Sequence, residues 1–361
     1  MPRTFRVAPL ILAALAGPAT AAQLPGRLAF FDEIVLPTGL MIAGREFGGI
    51  SGLDYDAEGG RFLAISDDRS QKAPARFYEL RLVLGEDRIT GIDIVAAHEL
   101  RGEDGAPFAE KNIDPEAIRL DGEGSRLFWS SEGDASGRPA IYEAGTDGAF
   151  RRHFVLPEYY LPDADGSSGV QGNLAFEALA VTPDGRTLYA GVENALVQDG
   201  EKATLDAGSP ARVIAFDIGS GAVLAEHVYE TGPIFAKAVV DPFWNDNGLS
   251  DFLALDGGTL LTVERSFALG VGNQIDLYLA RFAGATDVAG HESIKDRPVT
   301  PVGKEHLLRI GEGDFGLDID NIEAISWGPE IGGRRSLVLA SDNNFNPDGQ
   351  FTQFVVFTLE P

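Results

Sequence analysis

Five times along this chain, a short apolar segment opening on one polar residue is followed, after a turn, by a second apolar segment closing on an acid. The clearest copy runs from Asn173 to Asn194. Glu177 opens its first segment, Pro183-Asp184-Gly185 makes the turn, and Glu193 closes the second. Alternating or wholly apolar runs of this length, joined by turn residues, predict antiparallel strands. The opening and closing positions of such a hairpin lie at the same end, so geometry brings together two carboxylates that are distant in sequence.

The opening positions are Ser51, Glu116, Glu177, Asp251 and Glu323, and the closing positions are Asp67, Glu132, Glu193, Glu264 and Asp342. Within the five copies they are separated by 16, 16, 16, 13 and 19 positions, differing mainly in turn length. Successive copies begin 65, 61, 74 and 72 residues apart, which leaves room in each for two more strands. Those outer strands are visible at 76–84 and 89–100, 140–143 and 150–156, 213–217 and 223–229, and 275–282 and 306–310. The fifth copy has only 351–359 before the chain ends, while 27–36 is a strand-like run without an inner partner. Placing 27–36 beside 354–359 would close a ring and hide both sheet edges. The expectation is therefore an all-β fold, a β-propeller of four-stranded blades around a ring. Five repeats are counted and a degenerate sixth has room in the longer spacers.

Helical periodicity is weak throughout, because Gly and Pro interrupt the chain about every ten residues. At the start, Arg3 and Arg6 precede an apolar run over 7–16 and a small-x-small site at Ala19-Thr20-Ala21. This pattern predicts a signal peptide over 1–21 and one propeller domain over 22–361, periplasmic or secreted after cleavage. The apolar run is too short to span a bilayer. The chain has no cysteine, so neither a disulfide nor a thiolate metal site contributes, and a hydrophobic core must hold the fold.

Without 1–21, 27 basic residues face 55 acidic ones, a net charge of −28. Nucleic acid and anionic membrane surfaces are repelled by such a field, whereas divalent cations and a small-molecule ligand remain compatible with it. In a propeller the innermost strands line the channel, so the opening and closing residues gather at one mouth. Asp67, Glu116, Glu132, Glu177, Glu193, Asp251, Glu264, Glu323 and Asp342 are accordingly the expected metal ligands. Like charges this close require compensation, and Ca²⁺, which takes six to eight oxygen ligands, supplies it. Asn112, Asn173 and Asn247 before opening acids, and Asn194 and Asn343 after closing ones, add amide oxygens. The alternative role for the same acids is to cap strands and accept hydrogen bonds from neighbouring blades. Zinc is disfavoured, because His98, His153, His227, His291 and His306 show no ligand spacing.

Pro115-Glu116-Ala117-Ile118, Phe176-Glu177-Ala178-Leu179 and Ile322-Glu323-Ala324-Ile325 resemble the Glu-Ala repeats of the bacterial family named for esterase-like activity of phytase. Ser66-Asp67-Asp68-Arg69, Val263-Glu264-Arg265-Ser266 and Ser341-Asp342-Asn343-Asn344 resemble it too, so that the likeness extends from about residue 45 to the end. The chain departs from the repeat at Ser51, which lacks the opening carboxylate, and at Asp251, which shortens it. The resemblance implies an exported propeller with a link to phosphate-ester cleavage. On that reading the protein is a calcium-dependent phosphoric ester hydrolase, with Arg69 and Arg265 as phosphate clamps or as ordinary salt-bridge partners of the adjacent blade. A propeller that binds a ligand or partner protein without catalysis, and a gluconolactonase-type lactone hydrolase, are the alternatives. Gly-x-Ser-x-Gly, P-loop and dinucleotide glycine motifs are absent. Asp163-Ala-Asp-Gly166 and Asp318-Ile-Asp-Asn321 resemble calcium loops faintly, lack the remaining ligands, and read as turns.

Overall fold

Each repeat folds as two inner strands followed by two outer ones, and the blades stand side by side around a channel. The computed structural model describes Leu24 and residues 26–361; the expected signal segment, 1–21, lies outside the described residues. After β1 (Arg27–Pro37) and a small hairpin of β2 (Met41–Ile42) and β3 (Arg45–Glu46), the first blade is built from β4 (Ile50–Asp56), β5 (Arg61–Ser66), β6 (Arg76–Leu84) and β7 (Ile89–Glu99). The second comprises β8 (Pro115–Leu120), β9 (Arg126–Ser131), β10 (Ala140–Gly145) and β11 (Phe150–His153). The third comprises β12 (Phe176–Val181), β13 (Thr187–Val192), β14 (Pro210–Asp217) and β15 (Val223–Glu230). The fourth contains β16 (Asn245–Ala254), β17 (Thr259–Ala268), β18 (Gly272–Arg281) and β19 (Gly303–Gly311).

The last blade is completed by the chain start. Its order is β20 (Ile322–Ile331), β21 (Arg334–Ser341), β22 (Phe351–Glu360) and then β1, which lies antiparallel to β22 with Leu28 opposite Leu359 and Phe30 opposite Phe357. The expected closure is thus present, and the blades number five, with no sixth among the described residues. Among the described residues, helix is confined to two single 3₁₀ turns, at Glu158–Tyr160 and Asp314–Gly316. No helix among the described residues is long and apolar enough to cross a membrane.

Apolar packing is distributed between blades rather than gathered at the centre. Ile65 and Phe77 of the first blade meet Ile118 and Trp129 of the second. Phe128 and Ile141 then meet Phe176 and Leu188 of the third. Val213 and Tyr229 pack on Leu249 and Phe252 of the fourth, and Leu261 and Val263 on Ile322 and Leu337 of the fifth. Phe354 and Val338 finally return to Phe62 and Tyr78. Each fully buried side chain of this size contributes about 1.5–3 kcal/mol, so five apolar interfaces hold the ring without a central core.

The channel itself is closed by one ion pair. Arg119 on β8 donates from Nη2 to both carboxylate oxygens of Asp251 on β16, at 2.7 Å each. Its Nη1 donates to the carbonyl of Leu53 in the first blade, and its Nη2 also reaches the carbonyls of Phe252 and Ile325. Asp251 accepts in turn from the Ile325 amide. One guanidinium therefore ties together four of the five blades at the axis.

Candidate metal centre at the channel mouth

Every inner strand bulges at its opening position. The pairing of inner strand with second strand shifts register at Ser51, at Glu116 and Ala117, at Glu177, at Ser250 and at Glu323. A bulge places two residues opposite one and re-aims the extra side chain, here toward the mouth. In the fourth blade the bulged residue is Ser250, because Leu249 pairs with Glu264 and Asp251 with Val263. The opening and closing positions of that blade are consequently Ser250 and Arg265, one residue away from the expected Asp251 and Glu264 on each strand.

The slip removes both acids from the mouth. Asp251 occupies the position that is Gly52 or alanine in the other blades and is committed to Arg119; burial pushes its carboxyl up to about 6 despite that partner. Glu264 accepts from Tyr229 Oη at 2.7 Å and the Gly232 amide at 2.7 Å, and pairs with Lys304. Both serve the first alternative role, holding blades together. The amides Asn194 and Asn343 do likewise: Asn194 bonds the Asn247 carbonyl and the Ala203 amide, and Asn343 accepts from the Gly49 amide and donates to Thr38. Asn112 accepts from Ala135, Asn247 donates to Gly232, and Asn173 lines the cleft beyond the mouth.

Two acids that the repeat pattern did not single out join the remaining seven. Asp114 precedes Glu116 by two residues and brings a third carboxylate to the second blade. Asp246, at the start of the fourth, receives Arg265 Nη1 at 2.6 Å. The mouth then gathers Asp67, Asp114, Glu116, Glu132, Glu177, Glu193, Asp246, Glu323 and Asp342 against the guanidiniums of Arg69 and Arg265. Arg265 spans three blades, with Glu323 at 3.4 Å and Glu193 at 3.7 Å in addition to Asp246. Arg69 of the first blade reaches Asp114 of the second through Nε at 3.3 Å.

The compensation is incomplete on the side of the second and third blades. One oxygen each from Asp114, Glu116 and Glu132 lies within 4.8 Å of the others, and all three residues are buried. Glu132 accepts from the Ala175 amide and is also in side-chain hydrogen-bonding contact with Glu177. Two carboxylates make such a contact only with a proton or a cation between them. Burial, with Glu177, Asp114 and Glu132 adding repulsion, holds Glu116 well above the usual carboxylate range. Glu177 is raised likewise by burial and by Glu132 and Glu193. Burial pushes Asp114 up to about 6, against Arg69, and Glu132 up to about 7. Across the mouth, Asp67 is raised to about 8 by burial and by Glu323 and Asp114, and Asp342 is raised by burial and by Asp67. Asp67 Oδ1 is a buried oxygen with no hydrogen-bond partner. An all-oxygen set of this kind, with no histidine or thiolate, fits a hard divalent cation.

Residues 45–345 match the family model described as phytase-like, esterase-like activity of phytase. The chain belongs to the phytase-like family. No curated protein matches the sequence. Among solved structures, the C-terminal WD40 domain of Sif2 is similar over 93% of this chain and 99% of that one, at 10% identity and a TM-score of 0.34. The Dos1 propeller is similar over 85% and 67%, at 9% identity and a TM-score of 0.33. At such scores, the five-bladed assignment of this phytase-like propeller rests on its own strand pairing.

Glycines let the propeller bring carboxylates this close to backbone. A Cβ added at Gly248 would stand 2.2 Å from Glu193 Oε1 and 2.4 Å from its Cγ. Gly248→Ala is therefore expected to destabilise the protein by about 1–3 kcal/mol in urea unfolding, as overpacking does. Gly257→Ala, where nothing lies within 4 Å, is the control. Equal midpoints for the two variants would show that Glu193 is not held where the structure puts it.

Proposed function

We propose that this phytase-like propeller is an exported, calcium-dependent phosphoric ester hydrolase, acting in the periplasm or outside the cell on a small-molecule substrate at the acidic mouth. The observation that carries the proposal is the buried Asp114–Glu116–Glu132 triad within 4.8 Å, with Glu177 in contact and, among the described residues, Arg69 as the one cation paired with the triad. A cation bound there would supply Lewis-acid chemistry toward the phosphoryl group. Asp114, Glu116 and Glu132 would hold it. Glu177 is partly exposed where the other three are buried, and once a cation has displaced its own proton it would be placed to accept one from water at the site. Arg69 is the phosphate clamp of the two arginines, since its side chain is 39% exposed whereas Arg265 is 12% exposed and shared by three carboxylates.

A cleft of about 770 Å³ adjoins the mouth, lined by Arg265, Glu323, Asp246, Trp244, Asn173 and Asn321 among others, and gives a substrate room beyond the ring. The decisive assay presents phosphomonoesters, phosphodiesters and lactones to the purified protein, with Ca²⁺ and after chelation. Calcium-dependent phosphate release is expected, and Glu116→Gln with Glu132→Gln should lower it on the order of 100-fold together with Ca²⁺ affinity. No ester turnover under any metal condition would leave a non-catalytic binding propeller, and lactone turnover alone would make the protein a lactone hydrolase.

A further inference from the structure

The outer wall of the same cleft carries a second oxygen cluster, separate from the ring. Asn273 at the start of β18 is 8% exposed, and its Oδ1 is buried without a hydrogen-bond partner. The Asn273 backbone N–H donates to Glu312 Oε1 at 2.9 Å, while its side-chain Nδ2, donating to the Ile319 carbonyl at 3.2 Å, fixes the orientation of the side-chain amide. Rotating the amide would set oxygen against the Ile319 carbonyl, so Oδ1 is the atom left without a partner. Asn273, Glu312 and Asp318 all line the cleft.

Glu312 and Asp318 are themselves in side-chain contact, and Asp318 contributes, after burial, to raising the Glu312 carboxyl. No salt bridge among the described residues reaches either one. Gly272 makes the arrangement possible: with φ at +114° it runs beneath the carboxylate, and a Cβ there would stand 2.3 Å from Glu312 Oε1. Asp320, two residues on, is already used. It accepts from the amides of Phe351 at 2.6 Å and Asn321 at 2.8 Å. The other loop of similar sequence is satisfied internally, since Asp163 accepts from the amides of Ser167 and Ser168 and from the Ser167 hydroxyl.

We propose that Asn273 Oδ1 and the carboxylates of Glu312 and Asp318 form a second divalent-cation site, for Ca²⁺, on the cleft wall. An uncharged amide oxygen on β18 and two carboxylates on the loop after β19 are a hard-cation donor set, and water completes the six to eight ligands such an ion takes. A cation bound there would offset the repulsion between the two carboxylates and give the unpaired amide oxygen a partner. With only two charges in an exposed, loop-borne site, affinity falls in the weak extracellular range, with Kd on the order of 10⁻⁴–10⁻³ M.

Ca²⁺ titration by calorimetry tests this in the full chain. Glu312→Gln with Asp318→Asn should remove one weak site, and Gln keeps an oxygen acceptor for the Asn273 amide, so the fold is preserved. Asp318→Lys places an ammonium in the gap and should abolish the same binding event while raising the melting temperature in chelator. The comparison is repeated in the Glu116→Gln/Glu132→Gln background, where the ring no longer contributes. Loss of one weak site in both backgrounds supports the assignment even if no ester is hydrolysed. Unchanged stoichiometry and affinity in Glu312→Gln/Asp318→Asn, or an Asp318→Lys protein that binds Ca²⁺ as the parent does, overturns it.

Discussion

Arg119→Met is expected to cost about 3–5 kcal/mol of stability, the largest loss of any single substitution considered for this propeller. The guanidinium has a 3% exposed side chain and its partner Asp251 is fully buried, so removing the cation strands a carboxylate at the axis. It also withdraws the donor from the carbonyls of Leu53, Phe252 and Ile325, which belong to three different blades. Asp251→Ala leaves the converse defect, a buried unpaired guanidinium. The double variant Arg119→Met/Asp251→Ala places at 251 the residue that stands at the corresponding Ala117, Ala178 and Ala324. Removing both charges relieves their desolvation, so the double variant should recover most of the loss. Urea unfolding of the four proteins in a double-mutant cycle reads the coupling directly. Additive losses, or a single-variant loss below about 1 kcal/mol, would mean that the axial pair does not hold the blades.

The same pair marks where sequence reading stopped. Strand order, the five repeats counted and the closure of 27–36 onto 354–359 follow from local alternation and from counting strands, and the structure reproduces them. The fourth repeat slipped by one residue because acid was matched to acid. A better guide lay in the apolar neighbours. Each opening residue is preceded by one buried apolar residue and followed two positions later by another: Ile50 and Leu53, Pro115 and Ile118, Phe176 and Leu179, Leu249 and Phe252, Ile322 and Ile325. Only Ser250 satisfies this in the fourth blade, and Arg265 then falls at the closing position. Packing selects the register, and the acid at 251 is carried to the axis with it.

The pairing of Arg119 with Asp251 joins positions 132 apart and has no periodic signature. Asp114 and Asp246 were hidden for another reason. The residues just before the opening position differ from blade to blade, with Asp114 standing where the others have Gly49, Ala175, Gly248 and Asn321. A candidate site made of one blade's irregularity cannot be read from what the blades share. The second cluster, around Asn273, became visible only when β18 was seen to lie against the loop that follows β19.

Chelated protein is expected to lose stability as pH rises from about 4 to 8, and Ca²⁺ is expected to cancel most of that slope. The sign follows from the direction of the shifts. Carboxylates raised above their unfolded values of 3.8 and 4.5 keep protons in the native state that the unfolded chain has released. Their contribution is fully present below pH 4 and is lost as pH climbs through the folded values, about 6 for Asp114, 7 for Glu132 and 8 for Asp67 and Glu193. Each additional proton bound by the native state steepens the fall by about 1.4 kcal/mol per pH unit. A divalent cation at the mouth takes over from those protons, so its binding must release them and must tighten as pH rises. At a Ca²⁺ concentration 100 times the Kd, one site returns about 2.7 kcal/mol. Thermal unfolding at pH 5, 6.5 and 8, in chelator and in Ca²⁺, should therefore show a small calcium shift at pH 5 and a large one at pH 8. A melting temperature in chelator that stays flat or rises over this range would show that the mouth holds no excess protons. An equal calcium shift at pH 5 and pH 8 would place the cation away from Asp114, Glu116 and Glu132, because only the raised carboxylates couple its binding to protons in this window.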